Sequence, residues 1–209
     1  MNKKVVILIF GVIAIVLLIV GGVMLFGSSR SVGLDDAIQN EDGREGNTLL
    51  DSDRVLVLYF SETGNTQRLA SLIYNEVGGD LRRIEPVTPY PTGDALYDYT
   101  RDERDRNARP EFYDLDINMD DYDTIFIGYP IWWYQMPMIL YTFFDEYDLS
   151  GKTIIPFNTH EGSGNGGTYD DICKLEPDAT VLDGLAIRGG NMSSDQSDHV
   201  REFLEGLGF

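Results

Sequence analysis

The chain has 209 residues, of which 43% are hydrophobic, and its formal net charge is −19. That length fits one domain plus additional segments, at roughly 150 residues per domain. The negative charge argues against nucleic-acid binding, which needs a basic face, and predicts that a partner protein is basic at its contact face. Cys173 is the only cysteine, so an intrachain disulfide and a cysteine-rich metal site are excluded.

Residues 5–26 form an uncharged, almost entirely apolar run that follows Lys3 and Lys4. A helix needs about 20 such residues to cross a bilayer, so the run predicts a transmembrane helix. The alternative is a cleaved signal peptide, but the apolar region of a signal peptide usually has about 7–15 residues and precedes a small-residue cleavage motif. By the positive-inside rule, the two lysines place the N-terminus in the cytoplasm and the bulk of this single-pass membrane protein outside it.

Residues 27–53 are rich in Gly, Ser, Asn and Asp and have little hydrophobic periodicity. This composition predicts a flexible acidic tether. The folded domain is therefore expected at residues 54–209.

From residue 55 onward, strand-like runs alternate with helix-like patterns. The predicted strands are residues 55–60, 81–85, 124–129, 153–157 and 180–187, and the predicted helices are about 66–77, 93–107, 136–147 and a final helix from 193. This alternation predicts an α/β fold with a doubly wound, five-stranded parallel sheet. Asp183 and Gly184 interrupt the fifth strand. Pro156 lies inside the fourth strand, and because proline lacks a ladder donor we expect a sheet edge or a bulge there.

A polar turn follows the first strand directly. Ser61, Thr63, Asn65 and Thr66 supply hydroxyl and amide groups, and Gly64 permits a tight backbone turn. A helical pattern begins at once, so the free N–H groups of a helix start lie beside these side chains, an arrangement that binds phosphate. The turn has no lysine and does not match the P-loop pattern. The alternative is an ordinary strand-to-helix turn in which one of these side chains caps the helix.

An aromatic turn follows the third strand. It consists of Pro130, Ile131, Trp132, Trp133 and Tyr134. Its rings offer a flat apolar surface with N–H and O–H groups at the edges, on which a planar ring system could stack. A buried aromatic cluster or a protein-contact patch is the alternative.

Another polar turn follows the fourth strand. It contains Thr159, His160, Glu161, Gly162, Ser163 and Gly164. Ligands of open α/β sheets bind beyond the carboxyl ends of the strands, so the three turns should meet at one edge of the sheet. The spacing of Gly162, Gly164 and Gly167 also matches the dinucleotide fingerprint, but this is not the first turn, and Glu161 would repel a pyrophosphate. With two histidines, a metal site is not expected.

Together the three turns resemble those of the flavodoxin family. The matching stretches are SETGNT at 61–66, IGYPIWW at 127–133 and FNTHEGSG at 157–164, and DLSGK at 148–152 is also similar. The resemblance covers residues 54–209. It implies the sheet order 2-1-3-4-5 and an FMN cofactor, with the phosphate in the first turn and the isoalloxazine between the other two.

Tyr134 departs from the family pattern, because relatives commonly have glycine after the tryptophan pair. Neighbouring residues in an extended turn point to opposite sides, so we expect only one of Trp132 and Trp133 to face the ring system. Tyr134 or a residue of the loop 86–91 would then cover the other ring face.

The resemblance implies an FMN protein that transfers electrons between redox partners, and it identifies no catalytic residue. The apolar run at 5–26 adds the expectation that this protein is tethered to a membrane. One alternative is an FMN-dependent NAD(P)H:quinone-type oxidoreductase, which would need basic residues for the phosphates of the nicotinamide cofactor. The other is a binding module without flavin that uses the aromatic turn as a partner contact.

Overall fold

The computed structural model describes residues 54–209. The predicted transmembrane helix at 5–26 and the predicted tether at 27–53 lie outside the described residues. Within 54–209, no helix has the length and apolar character needed to cross a bilayer.

Strands and helices alternate along the described chain, as the apolar pattern predicts. The strands are β1 (Val55–Tyr59), β2 (Asp80–Arg83), β3 (Thr124–Pro130), β4 (Thr153–His160), β5 (Thr180–Val181) and β6 (Leu185–Arg188). The α-helices are α1 (Asn65–Val77), α2 (Asp94–Asp105), α3 (Met138–Glu146), α4 (Thr168–Leu175) and α5 (Ser197–Leu207). Short 3-10 helices cover Met119–Asp121 and Gly189–Ser193.

The strands form one parallel sheet in the order β2-β1-β3-β4-β5, with β6 also paired to β4. The predicted order 2-1-3-4-5 is therefore confirmed. The predicted number of strands is wrong, because the fifth strand is broken into β5 and β6 and the sheet has six strands within residues 54–209. The break falls at residues 182–184, which include the Asp183-Gly184 interruption.

Pro156 lies in a central, continuous strand rather than at an edge or a bulge. It pairs with Ile127 of β3 on one side of β4. The Leu182 N–H donates to the Ile154 carbonyl at 2.9 Å, so the backbone groups of Ile154 point toward the side of β5 and β6. Backbone groups alternate in direction along a strand, so those of Pro156, two residues later, point to the same side. Its missing N–H therefore faces the break between the two strands, where a donor would have no regular partner.

Apolar side chains cover both faces of the sheet. Leu56 and Leu58 pack into one buried cluster together with α3, while Val55 and Val57 pack into a second cluster with α1 and α5. Burial on both faces explains why the strands read as continuous apolar runs rather than alternating ones. Because the strands are parallel, the turns that follow β1, β3 and β4 lie at the same edge of the sheet.

Candidate functional site

A cavity of about 460 Å³ opens at the carboxyl ends of β1, β3 and β4. It is lined by Thr63, Asn65, Leu96, Tyr97, Thr100, Pro130, Ile131, Trp132, Trp133, Thr159, His160 and Glu161. Small-molecule sites are typically about 300–1,000 Å³, so the cavity has the size of a cofactor or substrate site. Its polar residues come from the turn after β1 with the start of α1, from the end of β4 with the turn that follows it, and from Thr100 of α2; its aromatic residues come from α2 and the turn after β3.

The turn after β1 leaves hydrogen-bond donors free at the start of α1. Gly64 has a left-handed backbone with φ +87° and precedes Asn65, the first residue of the helix, without a side-chain cap. The Gly64 N–H donates to Ser61 Oγ at 3.1 Å, which leaves the Ser61 hydroxyl hydrogen for another acceptor. The uncapped N–H groups and these hydroxyls form the kind of site that accepts an anion.

Thr66 ties this turn to the neighbouring strand. Its Oγ1 lies 2.8 Å from Thr159 Oγ1, and Thr66 is 1% exposed. Thr159 lines the cavity, whereas Thr66 lies behind it. The hydroxyl pair therefore joins the first and third turns.

The turn after β3 is a two-residue hairpin turn, not an extended segment. Trp132 and Gln135 exchange backbone N–H to carbonyl hydrogen bonds of 3.0 Å. The two central residues, Trp133 and Tyr134, have φ of 55° and 62°. Such turns favour Asn and Gly, because a left-handed backbone strains most other residues by about 1–2 kcal/mol each. Tyr134 does not line the cavity and is 75% exposed.

Trp132 packs against the domain core. Its ring meets Phe60 edge-on at 5.5 Å and Tyr90 at 5.3 Å between centroids. Tyr90 is buried, and its hydroxyl donates to Glu103 Oε2 at 3.1 Å. Burial raises the pKa of both Glu103 and Tyr90.

Trp133 is held by α2 instead. Its Nε1–H donates to Thr100 Oγ1 at 3.0 Å, and the guanidinium carbons of Arg104 and Arg101 lie 5.4 and 5.8 Å from its ring centroid. Both tryptophans line the cavity. The turn is a hairpin and not the extended segment from which opposite orientations were expected, and which of the two rings would face a bound ring system stays a prediction.

The end of β4 and the turn after it bring His160 and Glu161 to the cavity. The Gly162 N–H donates to His160 Nδ1 at 2.9 Å, so in the neutral ring the proton is on Nε2. Burial lowers the pKa of His160 below its ordinary 6.5, and the Glu161 carboxylate offsets this only partly. A Cβ at Gly189 would overlap Glu161 Oε1 and Asn65 Nδ2, so glycine there lets the first and third turns approach each other.

Most of the residues singled out from the three turns line the cavity, and the remainder lie around it. Those that do not line it are Ser61, Gly64, Thr66, Tyr134, Gly162, Ser163 and Gly164. Several of them shape the turns through backbone conformation or hydrogen bonds. Asn158 Nδ2, for example, donates to the Gly164 carbonyl at 3.2 Å and holds the third turn.

The sequence interpretation missed Leu96, Tyr97 and Thr100 of α2, which also line the cavity. A helix was expected at about 93–107, but not its contact with the aromatic turn. The available signal was the spacing of these three residues, which places them on one face of an otherwise charged helix.

Comparisons with known proteins agree with this architecture. The family model described as Flavodoxin matches residues 54–205. A candidate flavoprotein from Bacteroides eggerthii is 34% identical, with a TM-score of 0.67 and coverage of 75% of this chain and 98% of that one. One from Bacteroides uniformis is 30% identical, with a TM-score of 0.66 and coverage of 73% and 97%.

A more distant likeness concerns the fold alone. A flavoprotein from Lactobacillus acidophilus, solved in complex with FMN, is 22% identical, with a TM-score of 0.57 and coverage of 71% of this chain and 99% of that one. No curated protein sequence matches this chain.

Proposed function

The chain belongs to the flavodoxin family, and from that premise we propose that residues 54–209 bind FMN and transfer electrons between redox partners. The observation that carries the proposal is the two-ended cavity. One end has hydroxyl, amide and helix-start N–H donors, and the other has tryptophan and tyrosine rings. FMN has a phosphate at one end and a planar ring system at the other, so its chemistry fits both ends.

The polar end would hold the phosphate without a basic residue. Thr63 and Asn65 line the cavity beside the uncapped start of α1, and none of the described residues that line it is a lysine or an arginine. Backbone N–H groups, the side-chain amide and the hydroxyls would then bind the phosphate, assisted by the positive end of the helix dipole.

The aromatic end would orient the isoalloxazine and exclude water. Trp132 and Trp133 supply ring surfaces, and Ile131 and Leu96 supply apolar contacts. When bound, FMN supplies the redox chemistry, while the protein supplies orientation and electrostatics. The acidic chain, with Glu161 on the cavity wall, opposes further negative charge there and would lower the flavin potential.

The arginines of α2 near the cavity are paired with carboxylates, and this favours the electron-transfer role over an NAD(P)H-dependent oxidoreductase. Arg101 pairs with Asp98 at 2.5 Å, and Arg104 pairs with Asp105 at 2.6 Å. The neighbouring carboxylates reduce the positive potential that these guanidinium groups offer to the phosphates of a nicotinamide cofactor. Steady-state NADPH oxidation with a quinone would support the oxidoreductase instead.

The proposal extends to the setting of the domain. The apolar run at 5–26 would anchor the protein in a membrane, with the flavin domain outside the cytoplasm. The net charge of −19 supports a partner that is basic at its contact face. Protease added to intact cells should digest the domain. If the protease cleaved the domain only after the cells were lysed, the domain would lie on the cytoplasmic side instead.

The direct test is the visible absorption spectrum of the purified full-length protein in detergent, with and without added FMN. We expect a stoichiometric flavin spectrum and tighter binding of FMN than of riboflavin, because the turn after β1 binds the phosphate. A colourless protein that gains no flavin spectrum on addition of FMN would favour the binding-module alternative. Equal affinity for FMN and riboflavin would contradict the role of the turn.

Two side chains of the turn test the phosphate contact. Replacing Thr63 and Asn65 together by alanine should weaken FMN binding by several kcal/mol, at about 1.5–3 kcal/mol per hydrogen bond to a charged group. Riboflavin affinity should change little, since it lacks the phosphate. Asn75→Ala, at an exposed position near the end of α1, is the matched control.

A further inference from the structure

Helix α2 contributes more to the cavity than its lining residues. It lies in the long connection between β2 and β3, outside the three turns that carry the family resemblance. Among the described residues, the side chain of Trp133 nevertheless contacts α2 through the hydrogen bond to Thr100, the guanidinium groups of Arg101 and Arg104, and the ring of Tyr97 at 6.3 Å.

The Thr100 hydroxyl is placed to accept the indole N–H of Trp133. The residue is 5% exposed, and its hydroxyl donates to the Leu96 carbonyl at 2.8 Å. A hydroxyl has one hydrogen, and here Leu96 receives it, so the Thr100 oxygen can only accept further hydrogen bonds. The Nε1–H of Trp133 uses that capacity at 3.0 Å. The hydrogen bond to Leu96 thus orients the Thr100 hydroxyl, and the hydrogen bond from the indole fixes the position of the Trp133 edge relative to α2.

Trp133 depends on such support because its own backbone does not favour the turn. Its φ of 55° lies in the left-handed region, and so does that of the next residue, Tyr134. Both residues carry a Cβ, which disfavours this conformation. Two backbone hydrogen bonds between Trp132 and Gln135 close the hairpin, and the side chain of Trp133 adds contacts with α2.

We propose that Thr100 is the positioning residue for Trp133: its hydroxyl holds the indole as a wall of the cavity and so controls how tightly the cavity retains a planar ring system. Thr100 acts through Trp133 and is not assigned a catalytic role. This inference rests on the proposed FMN function, but the hydrogen bond on which it depends can be tested without the cofactor.

The first experiment measures the indole N–H groups by NMR in the ¹⁵N-labelled full-length protein without flavin. The chain has two tryptophans, so two indole signals are expected, and Trp133→Phe assigns them. Thr100→Val should shift the Trp133 signal and speed its hydrogen exchange about tenfold, the ratio that corresponds to one lost hydrogen bond. Thr100→Ser keeps the hydroxyl and should restore both. An unchanged Trp133 signal in Thr100→Val would overturn the proposal.

The second experiment measures flavin binding by fluorescence quenching. Thr100→Val should weaken FMN and riboflavin by the same factor, about tenfold, because the lost support concerns the ring and not the phosphate. Thr100→Ser should bind both as the wild type does. A loss confined to FMN would contradict the assignment of Thr100 to the ring end, and so would wild-type affinity and quenching in Thr100→Val.

Thr142→Val is the matched control for both measurements. Thr142 is likewise 5% exposed, and its hydroxyl donates to the Pro110 carbonyl at 2.9 Å, away from the cavity lining. It should lower folding stability to a similar extent while leaving the Trp133 signal and flavin binding unchanged. If it moved them as Thr100→Val does, general destabilisation would explain the effect, and the positioning role would fall.

The two failures are distinguishable. A wild-type protein that binds no flavin rejects the proposed function, and the NMR measurement then still decides whether Thr100 holds Trp133. A wild-type protein that binds FMN, with Thr100→Val unchanged in affinity and quenching, rejects only the positioning role.

Discussion

The turn after β1 and the turn after β3 border the same cavity but are supported in different ways. In the first, the left-handed position is Gly64, which tolerates φ of +87° and has open space around the place of a Cβ. In the second, the left-handed positions are Trp133 and Tyr134, two large aromatic residues. The first turn has the Gly64 N–H on Ser61 Oγ, whereas the second, closed by the backbone hydrogen bonds of Trp132 and Gln135, also has its Trp133 side chain held by α2.

This difference separates two ways of building a ligand site. A turn whose strained position is glycine needs little help from the rest of the fold, so its properties should survive changes made elsewhere. A turn that places aromatic residues at strained positions must be stabilised by distant contacts, so changes in α2 should reach it. Variants that affect one turn and spare the other test this contrast.

The largest effect is expected within the aromatic turn. Trp132→Ala should lower the free energy of unfolding by about 3 kcal/mol, the lower end of the range for tryptophan, because the half-buried ring packs edge-on against Phe60 and Tyr90. Urea unfolding measures it. Tyr134→Ala is the control: this side chain is 75% exposed and should change stability by less than about 0.5 kcal/mol. If both variants lost the same unfolding free energy, Trp132 would not be the core residue of the turn and Tyr134 its exposed one.

The contact between the first and third turns comes next. Thr66→Val and Thr159→Val should each lower stability by about 1–3 kcal/mol, because each leaves one buried hydroxyl without its partner at 2.8 Å. The double variant should lose less than the sum, since neither hydroxyl then remains unpaired. Strict additivity in the double-mutant cycle would show that the two hydroxyls do not interact.

A smaller pair of effects should have opposite signs in the two turns. Gly64→Ala should lower stability by about 1 kcal/mol through backbone strain alone, because nothing crowds the new Cβ. Tyr134→Gly should raise stability by about 0.5 kcal/mol, since relief of about 1–2 kcal/mol is partly offset by the greater freedom of glycine in the unfolded chain. Chemical denaturation measures both, and a loss of stability in Tyr134→Gly would contradict the strain at that position.

The smallest effect is a pH dependence at Glu103, behind the aromatic turn. Burial raises the pKa of its carboxyl above the ordinary 4.5, so the native state holds this proton more tightly than the unfolded state does. Its contribution to stability is therefore present below that value and is lost as the pH rises through the folded-state pKa. Glu103→Gln still accepts from Tyr90 and should remove this decline relative to the wild type.

Denaturation of wild type and Glu103→Gln from pH 4.5 upward measures the difference. The exposed Glu111→Gln is the control and should follow the wild type at each pH. A difference that grows as the pH falls would reverse the assigned direction. Because Glu103 contacts the aromatic side of the cavity through Tyr90, the phosphate contact of the first turn should be unaffected.

Local patterns in the sequence were enough to predict the main elements and the polar turns. β1 and β3 are apolar runs because both faces of the sheet are covered, and that pattern is readable without any neighbour. The turn after β1 was readable for the same reason: its glycine, its hydroxyls and the helix start lie within a few residues of each other. The family resemblance then supplied the sheet order, which the structure confirms.

The tertiary structure alone decided which side chains share the cavity and which lie behind it. Thr66 lies behind it because it pairs with Thr159, and Trp133 is a wall because Thr100 holds it, contacts between residues far apart in the chain. Pro156 is tolerated in a central strand only because the break between β5 and β6 lies opposite it. Each outcome depends on which elements become neighbours, and periodicity within one segment carries no information about the side chains of another.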